Sequence, residues 1–115
     1  MHEIGIANSV LEKARSEVGH FPGAKLLRVG VRIGEWSGVE PESLRFCFES
    51  LVAETGTPPP ALDIEFCLRR NRCPQCGCIF RVEDYLITCP ECGETNTLPF
   101  SGDELQITYI DVEES

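Results

Sequence analysis

The chain is poor in histidine and in positive charge, and each shortage argues against a class of function. It has two histidines in 115 residues, and ten Lys and Arg against nineteen Asp and Glu, for a formal net charge of −9. Such an acidic balance argues against general affinity for nucleic-acid phosphates. With so few histidines there is no Ser/His/Asp or Cys/His set for nucleophilic catalysis. We therefore expect neither an enzyme nor a nucleic-acid binder.

Long apolar runs, a leader segment and a phosphate loop are also missing. No apolar run reaches the ~20 residues that span a bilayer, and no basic-then-apolar leader opens the chain. Without a glycine-rich phosphate loop, nucleotide energy would have to come from a partner. The expected location is the cytoplasm, where thiols stay reduced. Seven cysteines exclude a framework in which every cysteine is paired within the chain, so their clustering indicates metal.

Apolar spacing predicts two helices and three strands. Residues 3–18 and 40–56 carry apolar side chains in steps of three and four, which is typical of amphipathic helices, and Pro41 suits a first helical position. Three segments alternate with a period of two, which predicts strands buried on one face. The inward side chains are Leu27, Val29, Val31 and Ile33, then Leu62, Ile64, Phe66 and Leu68, then Leu105, Ile107 and Tyr109, with a phase slip to Ile110 and Val112 at a bulge. Gly30 and Gly34 leave room on the other face for a close neighbour. The predicted fold class is α+β, two helices packed on a three-stranded sheet.

Four cysteines form two copies of Cys-Pro-x-Cys-Gly. The pairs are Cys73 with Cys76 and Cys89 with Cys92, each followed by a glycine. A two-residue gap lets both sulfurs face one ion, and the glycine permits the tight turn. Four thiolates close the tetrahedral shell of Zn²⁺, so the site should be structural. The segment predicts a zinc ribbon with a short hairpin that turns near Glu83 and Asp84.

The ribbon interrupts the α+β unit just before its last strand. The predicted domains are residues 1–69, completed by residues 99–115, and the ribbon at residues 70–98. Iron is the rival ion, because the same cysteine spacing also builds iron–tetrathiolate electron carriers.

Three cysteines remain outside the two pairs. Cys47 lies on the apolar stripe of the second helix and is predicted to be a core residue. Cys67 falls on the outward phase of a strand, which favours a surface thiol. Cys78 follows the first cysteine pair, and we expect it to point into the hairpin and not to bind the metal.

The first residues carry a second potential metal site. The Met1 amine, the His2 amide nitrogen and the His2 imidazole can chelate one ion in fused five- and six-membered rings, a set that suits square-planar Ni²⁺ or Cu²⁺. If a helix starts here, its first N–H groups have no intrahelical partner, so an amide can ligate without breaking a helical bond. His20, beside a turn, is predicted to be solvated.

Three stretches together resemble one known family. They are Met-His-Glu at the start, "IGEWSGVEPESLRFCFE" in the middle, and the paired Cys-x-x-Cys before the last strand. Over essentially the whole length they resemble the HypA/HybF family of hydrogenase maturation proteins, which deliver nickel. The most specific parts are the starting tripeptide and the pattern Gly34, Val39, Glu40, Ser43-Leu44 and Phe46. The family fold, an α/β nickel domain with a zinc ribbon inserted before the last strand, matches the periodicity.

The resemblance implies a nickel metallochaperone with two metals. His2 would bind transient Ni(II), helped by the Met1 amine and the Glu3 carboxylate, while Cys73, Cys76, Cys89 and Cys92 hold structural Zn(II). The implied partners are the nickel-loading GTPase of the pathway and the hydrogenase large-subunit precursor; whether urease is served as well is left open by the sequence. Glu40 is a candidate outer carboxylate, although a role as the cap of the second helix is favoured. The alternatives are a zinc-ribbon adaptor without a nickel role and an iron–tetrathiolate redox protein.

Overall fold

A computed structural model describes residues 3–53 and 59–114; Met1 and His2 lie outside the described residues. The elements in chain order are α1 (Glu3–Val18), β1 (Lys25–Gly34), α2 (Pro41–Val52), β2 (Ala61–Cys67), β3 (Arg70–Arg72), β4 (Ile79–Arg81), β5 (Leu98–Ser101) and β6 (Leu105–Glu113). The predicted α+β class, with a cysteine module inserted before the last strand, is confirmed. Among the described residues, no helix has the length and apolar content that crossing a membrane requires.

The first lobe is a three-stranded sheet with both helices on one face. The strand order is β2–β1–β6, with β1 parallel to β2 and antiparallel to β6. Phe48 and Leu44 of α2 pack with Val29 and Ile33 of β1 in the fully buried centre of the core. The helical periodicity of the sequence therefore identified the stripe of α2. In α1 it identified Ala7, Leu11 and Ala14, but it also predicted Ile4, which is 48% exposed.

Four strand side chains predicted to face inward are exposed instead, namely Leu27, Phe66, Leu105 and Tyr109. Leu27 and Phe66 are each 46% exposed. The register of β1 against β6 shifts between Leu26 and Arg28, so Leu27 is an extra residue and Leu26 packs against the core in its place. Phe66 keeps the predicted alternation, but it lies near the end of the edge strand β2 and stays uncovered. A period of two therefore predicts that a segment is a strand, but it does not predict where the strand has a bulge or where its end is left exposed.

The predicted phase slip in the last strand is a bulge. The register moves between the Gly30–Tyr109 and Val31–Ile107 pairs, which leaves Thr108 as the extra residue. Ile107 and Ile110 consequently both pack on the core. Tyr109, predicted to face inward, turns instead to the outer face and lies on Gly30, where a Cβ atom would overlap its ring. The prediction that this glycine makes room for a close neighbour is confirmed.

Tyr109 also joins the charged outer face of the sheet. Its hydroxyl donates a hydrogen bond to Asp63, which accepts a second one, 3.0 Å long, from Arg28. Both hydrogen bonds, that from Tyr109 first, hold the pKa of the Asp63 carboxyl below its usual range. Arg32 and Glu65 form a further ion pair at 3.1 Å on this face.

Replacing Gly30 with alanine is expected to lower the free energy of unfolding by about 1–3 kcal/mol. The new methyl group would displace the Tyr109 ring and disturb its hydrogen bond to Asp63. Urea denaturation measures the change. Gly5→Ala is the matched control, because nothing lies within 4 Å of a Cβ there; its stability should be equal to or slightly above that of the wild type. An unchanged unfolding midpoint for Gly30→Ala would contradict the packing described here.

The second lobe is a small antiparallel sheet beside the cysteines. The strand order is β4–β3–β5. The predicted hairpin between the cysteine pairs is wrong, because β4 pairs back with β3 and the described residues 86–97 contain no strand after the turn at Asp84 and Tyr85. Strand β3, which pairs with β4, precedes Cys73, and β5, which also pairs with β3, follows Cys92. This sheet reaches Ser101, and the division of the chain into domains stays a prediction.

The lobes lie end to end and meet at a junction formed by Glu35, Trp36, Arg69, Tyr85 and Gly102. The molecule measures 56 × 25 × 16 Å. Arg69 is 7% exposed, and its guanidinium carbon lies 4.3 Å from the Trp36 ring centroid. The Arg69 N–H donates to Glu35 Oε1 at 2.8 Å, and the Trp36 N–H donates to the Gly102 carbonyl at 2.6 Å. The Tyr85 ring packs on Trp36 with centroids 5.2 Å apart. The junction therefore ties the loop after β1 to the second lobe.

Candidate metal centres

The two cysteine pairs are built as the same turn. The N–H of Gly77 donates to the Cys73 carbonyl at 2.9 Å, and that of Gly93 donates to the Cys89 carbonyl at 3.0 Å. Both glycines have a φ near +80°, at 78° and 82°, a conformation that side chains with a Cβ rarely adopt. Each Cys-Pro-x-Cys-Gly sequence therefore dictates its own turn, as its composition predicted.

The four sulfurs meet in one cluster. The sulfurs of Cys73, Cys76, Cys89 and Cys92 all lie within 4.8 Å of one another. The shortest separations are 3.4 Å between Cys73 and Cys92, and 3.6 Å between Cys76 and Cys89. Four thiolates about 2.3 Å from a tetrahedral zinc ion would be roughly 3.8 Å apart, close to these values. They are too far apart for disulfides, whose sulfurs are about 2.05 Å apart. The donor set therefore fits one tetrahedral ion with no open position.

The thiols of the cluster differ in acidity. Burial alone would raise the pKa of Cys89, but hydrogen bonds from the N–H groups of Cys92 and Glu91 lower it to about 7. For Cys92, the N–H of Glu94 lowers the pKa, but the hydrogen bond with Cys73 and burial raise it to about 12. A metal ion must displace the thiol protons that remain, so metal binding weakens as the pH falls.

The other three cysteines stay outside this cluster. Cys47 is half-buried at the edge of the core, as predicted. Cys67 is half-buried rather than fully exposed, and burial is the main cause that raises the pKa of its thiol. Cys78 contributes its carbonyl to the first turn by accepting from the Cys73 N–H at 2.8 Å, and its sulfur is not one of the four grouped atoms.

The two helices begin side by side at one end of the first lobe. The N–H of Glu40, just before α2, lies 3.5 Å from Glu3 Oε2 in the first turn of α1. Glu40 is the N-cap of α2, and its Oε1 accepts from the Glu42 N–H at 3.2 Å, as the cap interpretation predicted. Helix N-termini carry partial positive charge, which favours carboxylates. Glu3, Glu40 and Glu42 therefore lie in or directly before the first turns of the two helices.

Sequence reasoning did not foresee the approach of Glu3 to Glu40. The cap pattern around Pro41 was visible, but nothing local in the sequence indicates that two residues 37 positions apart meet. His20, by contrast, follows the far end of α1. A helix of 16 residues is about 24 Å long, so His20 cannot reach the Glu3 end.

The chain is similar to known proteins over almost its whole length. A family model described as "Hydrogenase/urease nickel incorporation, metallochaperone, hypA" matches residues 1–112. The hydrogenase maturation factor HypA of Geobacter metallireducens is 37% identical over 113 residues, covering 98% of this chain and 100% of the relative. HypA of Chlorobium limicola is 36% identical over 114 residues, covering 99% and 98%.

Two solved structures share the fold. The solution structure of the Ni metallochaperone HypA from Helicobacter pylori matches with a TM-score of 0.64 at 23% identity, over 100% of both chains. A second solution structure of a HypA protein matches with a TM-score of 0.69 at 22% identity, over 100% of this chain and 98% of the other. The chain belongs to the HypA family of hydrogenase/urease nickel-incorporation metallochaperones.

Proposed function

We propose that this protein binds Ni(II) at its amino terminus and delivers it for [NiFe]-hydrogenase maturation, while Zn(II) holds the ribbon. The observation that carries the proposal is the family match, which begins at residue 1 and so includes the Met-His-Glu start. Nickel is the cargo and zinc the structural metal. The cluster of four thiols supports the second role, because it fits a closed tetrahedral shell.

The proposed nickel ligands are the Met1 amine and the amide and imidazole nitrogens of His2, with Glu3 as a helper. The Glu3 carboxylate lies at the start of α1, and its contact with the Glu40 N–H is long at 3.5 Å. Such a contact is weak and easily exchanged for another partner. The carboxylates of Glu3, Glu40 and Glu42 also offset the positive helix ends, which would otherwise repel a divalent cation.

A cargo site must release its ion, and the proposed terminal site suits release. Nitrogen ligands from consecutive residues leave the metal open to an acceptor, in contrast to the closed four-thiolate cluster. The proposed partners are the nickel-loading GTPase of the pathway and the hydrogenase large-subunit precursor. We further propose a cytoplasmic location, where the seven thiols stay reduced.

His2→Ala is expected to weaken Ni²⁺ binding by at least about 100-fold. Loss of a group that only supports a metal ligand weakens metal binding by up to about 100-fold, and loss of the ligand itself should weaken it at least as much. Isothermal titration of untagged protein with Ni²⁺ measures the change. His20→Ala is the matched control, since it removes the other histidine at the opposite end of α1, and it should bind nickel like the wild type.

Elemental analysis of the same samples separates the alternatives. One zinc per chain in every variant is the expected result. Iron in place of zinc would indicate an iron–tetrathiolate redox protein. Unchanged nickel affinity in His2→Ala would leave a zinc-ribbon adaptor as the better interpretation.

A further inference from the structure

One face of the ribbon sheet combines positive charge with apolar side chains. We call it the arginine face; it is formed by Arg70, Arg72, Ile79, Arg81, Leu98 and Phe100. All six side chains are exposed, and the three apolar ones are 47%, 56% and 53% exposed for Ile79, Leu98 and Phe100. In a protein of net charge −9, a surface of this composition needs an explanation.

The strand register places these residues on a common side. Arg72 lies opposite Ile79 of β4 and Leu98 of β5. Arg70 lies two residues away in β3 and so points to the same side, opposite Arg81. Asn71 points to the other side, where it is buried and donates to Thr97 Oγ1 at 2.9 Å. Phe100 is the extra residue at the register shift in β5, so that Phe100 and Ser101 together oppose Arg70.

Within the described part of the chain, acidic side chains balance the positive charge of the arginine face only in part. Arg70 and Arg81 are direct cross-strand neighbours, a like-charge pairing that destabilises a sheet. Arg81 has two weak acidic partners, Glu83 at 3.3 Å and Glu35 at 3.9 Å. Neither Arg70 nor Arg72 forms a salt bridge with any residue in the described ranges 3–53 and 59–114.

In the first lobe, by contrast, the arginines of the sheet have acidic partners. Arg28 pairs with Asp63 at 3.0 Å and lies opposite Asp111 of β6, and Arg32 pairs at 3.1 Å with Glu65, which lies opposite it on β2. The same sequence therefore places a carboxylate opposite an arginine on one sheet and an arginine opposite an arginine on the other. Repulsion on the arginine face disappears when an anionic group binds there.

We propose that the arginine face is a docking surface for an acidic segment of a partner protein that also carries apolar side chains. Carboxylates of such a segment would lie over Arg70 and Arg72, and its apolar residues over Ile79, Leu98 and Phe100. A protein segment fits better than a nucleic acid, because half of the face is apolar and a segment can offer apolar side chains beside its carboxylates. This docking role is independent of the metal bound at the amino terminus.

The test uses the full-length zinc-bound protein and a nine-residue capped, fluorescent peptide that alternates glutamate with leucine. Fluorescence anisotropy should detect binding that weakens as salt rises. The double variant Arg70→Gln/Arg72→Gln should bind about tenfold more weakly, as expected for the loss of two exposed ion pairs. Arg15→Gln/Lys25→Gln makes the same change in net charge on the first lobe, and it should bind within about twofold of the wild type.

Apolar variants and a second probe separate docking from simple charge attraction. Leu98→Ala should weaken peptide binding, whereas Leu86→Ala, exposed in the same lobe but outside its sheet, should not. Arg70→Gln alone should keep its zinc and a melting temperature at least equal to that of the wild type, since it removes the repulsion with Arg81. A loss of zinc there would overturn the proposal by making Arg70 structural.

Three further outcomes would overturn the proposal. One is equal peptide binding by the Arg70→Gln/Arg72→Gln variant, and another is no peptide binding at low salt. The third is tighter binding of a thymidine oligonucleotide than of the peptide, which would make the face a nucleic-acid surface.

Discussion

Cys73→Ser is expected to release zinc and unfold the ribbon while both helices stay folded. Cys73 is fully buried, and its sulfur lies 3.4 Å from that of Cys92 at the centre of the thiol cluster. Structural zinc in small modules contributes roughly 10–16 kcal/mol of apparent binding free energy. The strands β3, β4 and β5 have only three or four residues each, too few to fold by their own packing. Metal analysis and the dispersion of ribbon amide signals in NMR spectra measure the two losses.

Cys78→Ala is the matched control for this substitution. Cys78 lies two residues from a ligand, but its sulfur is outside the grouped four, so the variant should keep one zinc. The helical circular dichroism should persist in both variants, because the core around Phe48 and Leu44 is enclosed by the first lobe alone. Zinc loss from Cys78→Ala would refute the ligand assignment. Collapse of the helical signal in Cys73→Ser would show that the two lobes fold as one unit.

Blocking the amino terminus is expected to weaken nickel binding by about 100-fold or more, while zinc stays bound. Acetylation of Met1 removes the amine ligand but preserves every side chain. The proposed zinc ligands lie in the other lobe, so one zinc per chain should remain. Because protons compete for the terminal amine and for imidazole, the nickel affinity of the unblocked protein should fall below neutral pH. Titrations across the pH range check both expectations.

One extra residue ahead of Met1 is a more demanding version of this test. It moves the amine out of the proposed chelate ring and puts another amide in its place. A new chelate with histidine in third position could then form, so the absorption of square-planar nickel must be read together with affinity. If the extended protein binds nickel with unchanged affinity and spectrum, the terminal amine is not a ligand.

The features that were predicted correctly from the sequence are those that a short segment determines by itself. The Cys-Pro-x-Cys-Gly spacing encodes a complete local turn, so the cluster of Cys73, Cys76, Cys89 and Cys92 could be predicted without any knowledge of the fold. Helical and strand periodicity predicted the core in the same way, at Val29, Ile33 and Leu44.

The errors come from pairings between distant segments. Leu27 is exposed because of a bulge that only the partner strand reveals. The expected hairpin fails because β4 finds its partner in β3, on the other side of a cysteine pair. The Glu3–Glu40 contact and the stacking of Arg69 on Trp36 join residues more than thirty positions apart. The periodicity of a single segment cannot predict such contacts.

The insertion of the ribbon before β6 also affects the order of assembly on the ribosome. The central strand β1 pairs with β2 early, but residues 68–104 must be synthesised before β6 can complete its other side. Once the ribbon is folded, Arg70 and Ser101 are paired neighbours, so its two ends are already together. A folded insert thereby replaces a long flexible loop, whose closure costs conformational entropy, with a short one. Under the proposed zinc role, zinc supply during translation sets how soon the exposed edge of β1 is covered, and with it the period in which a nascent chain is open to aggregation.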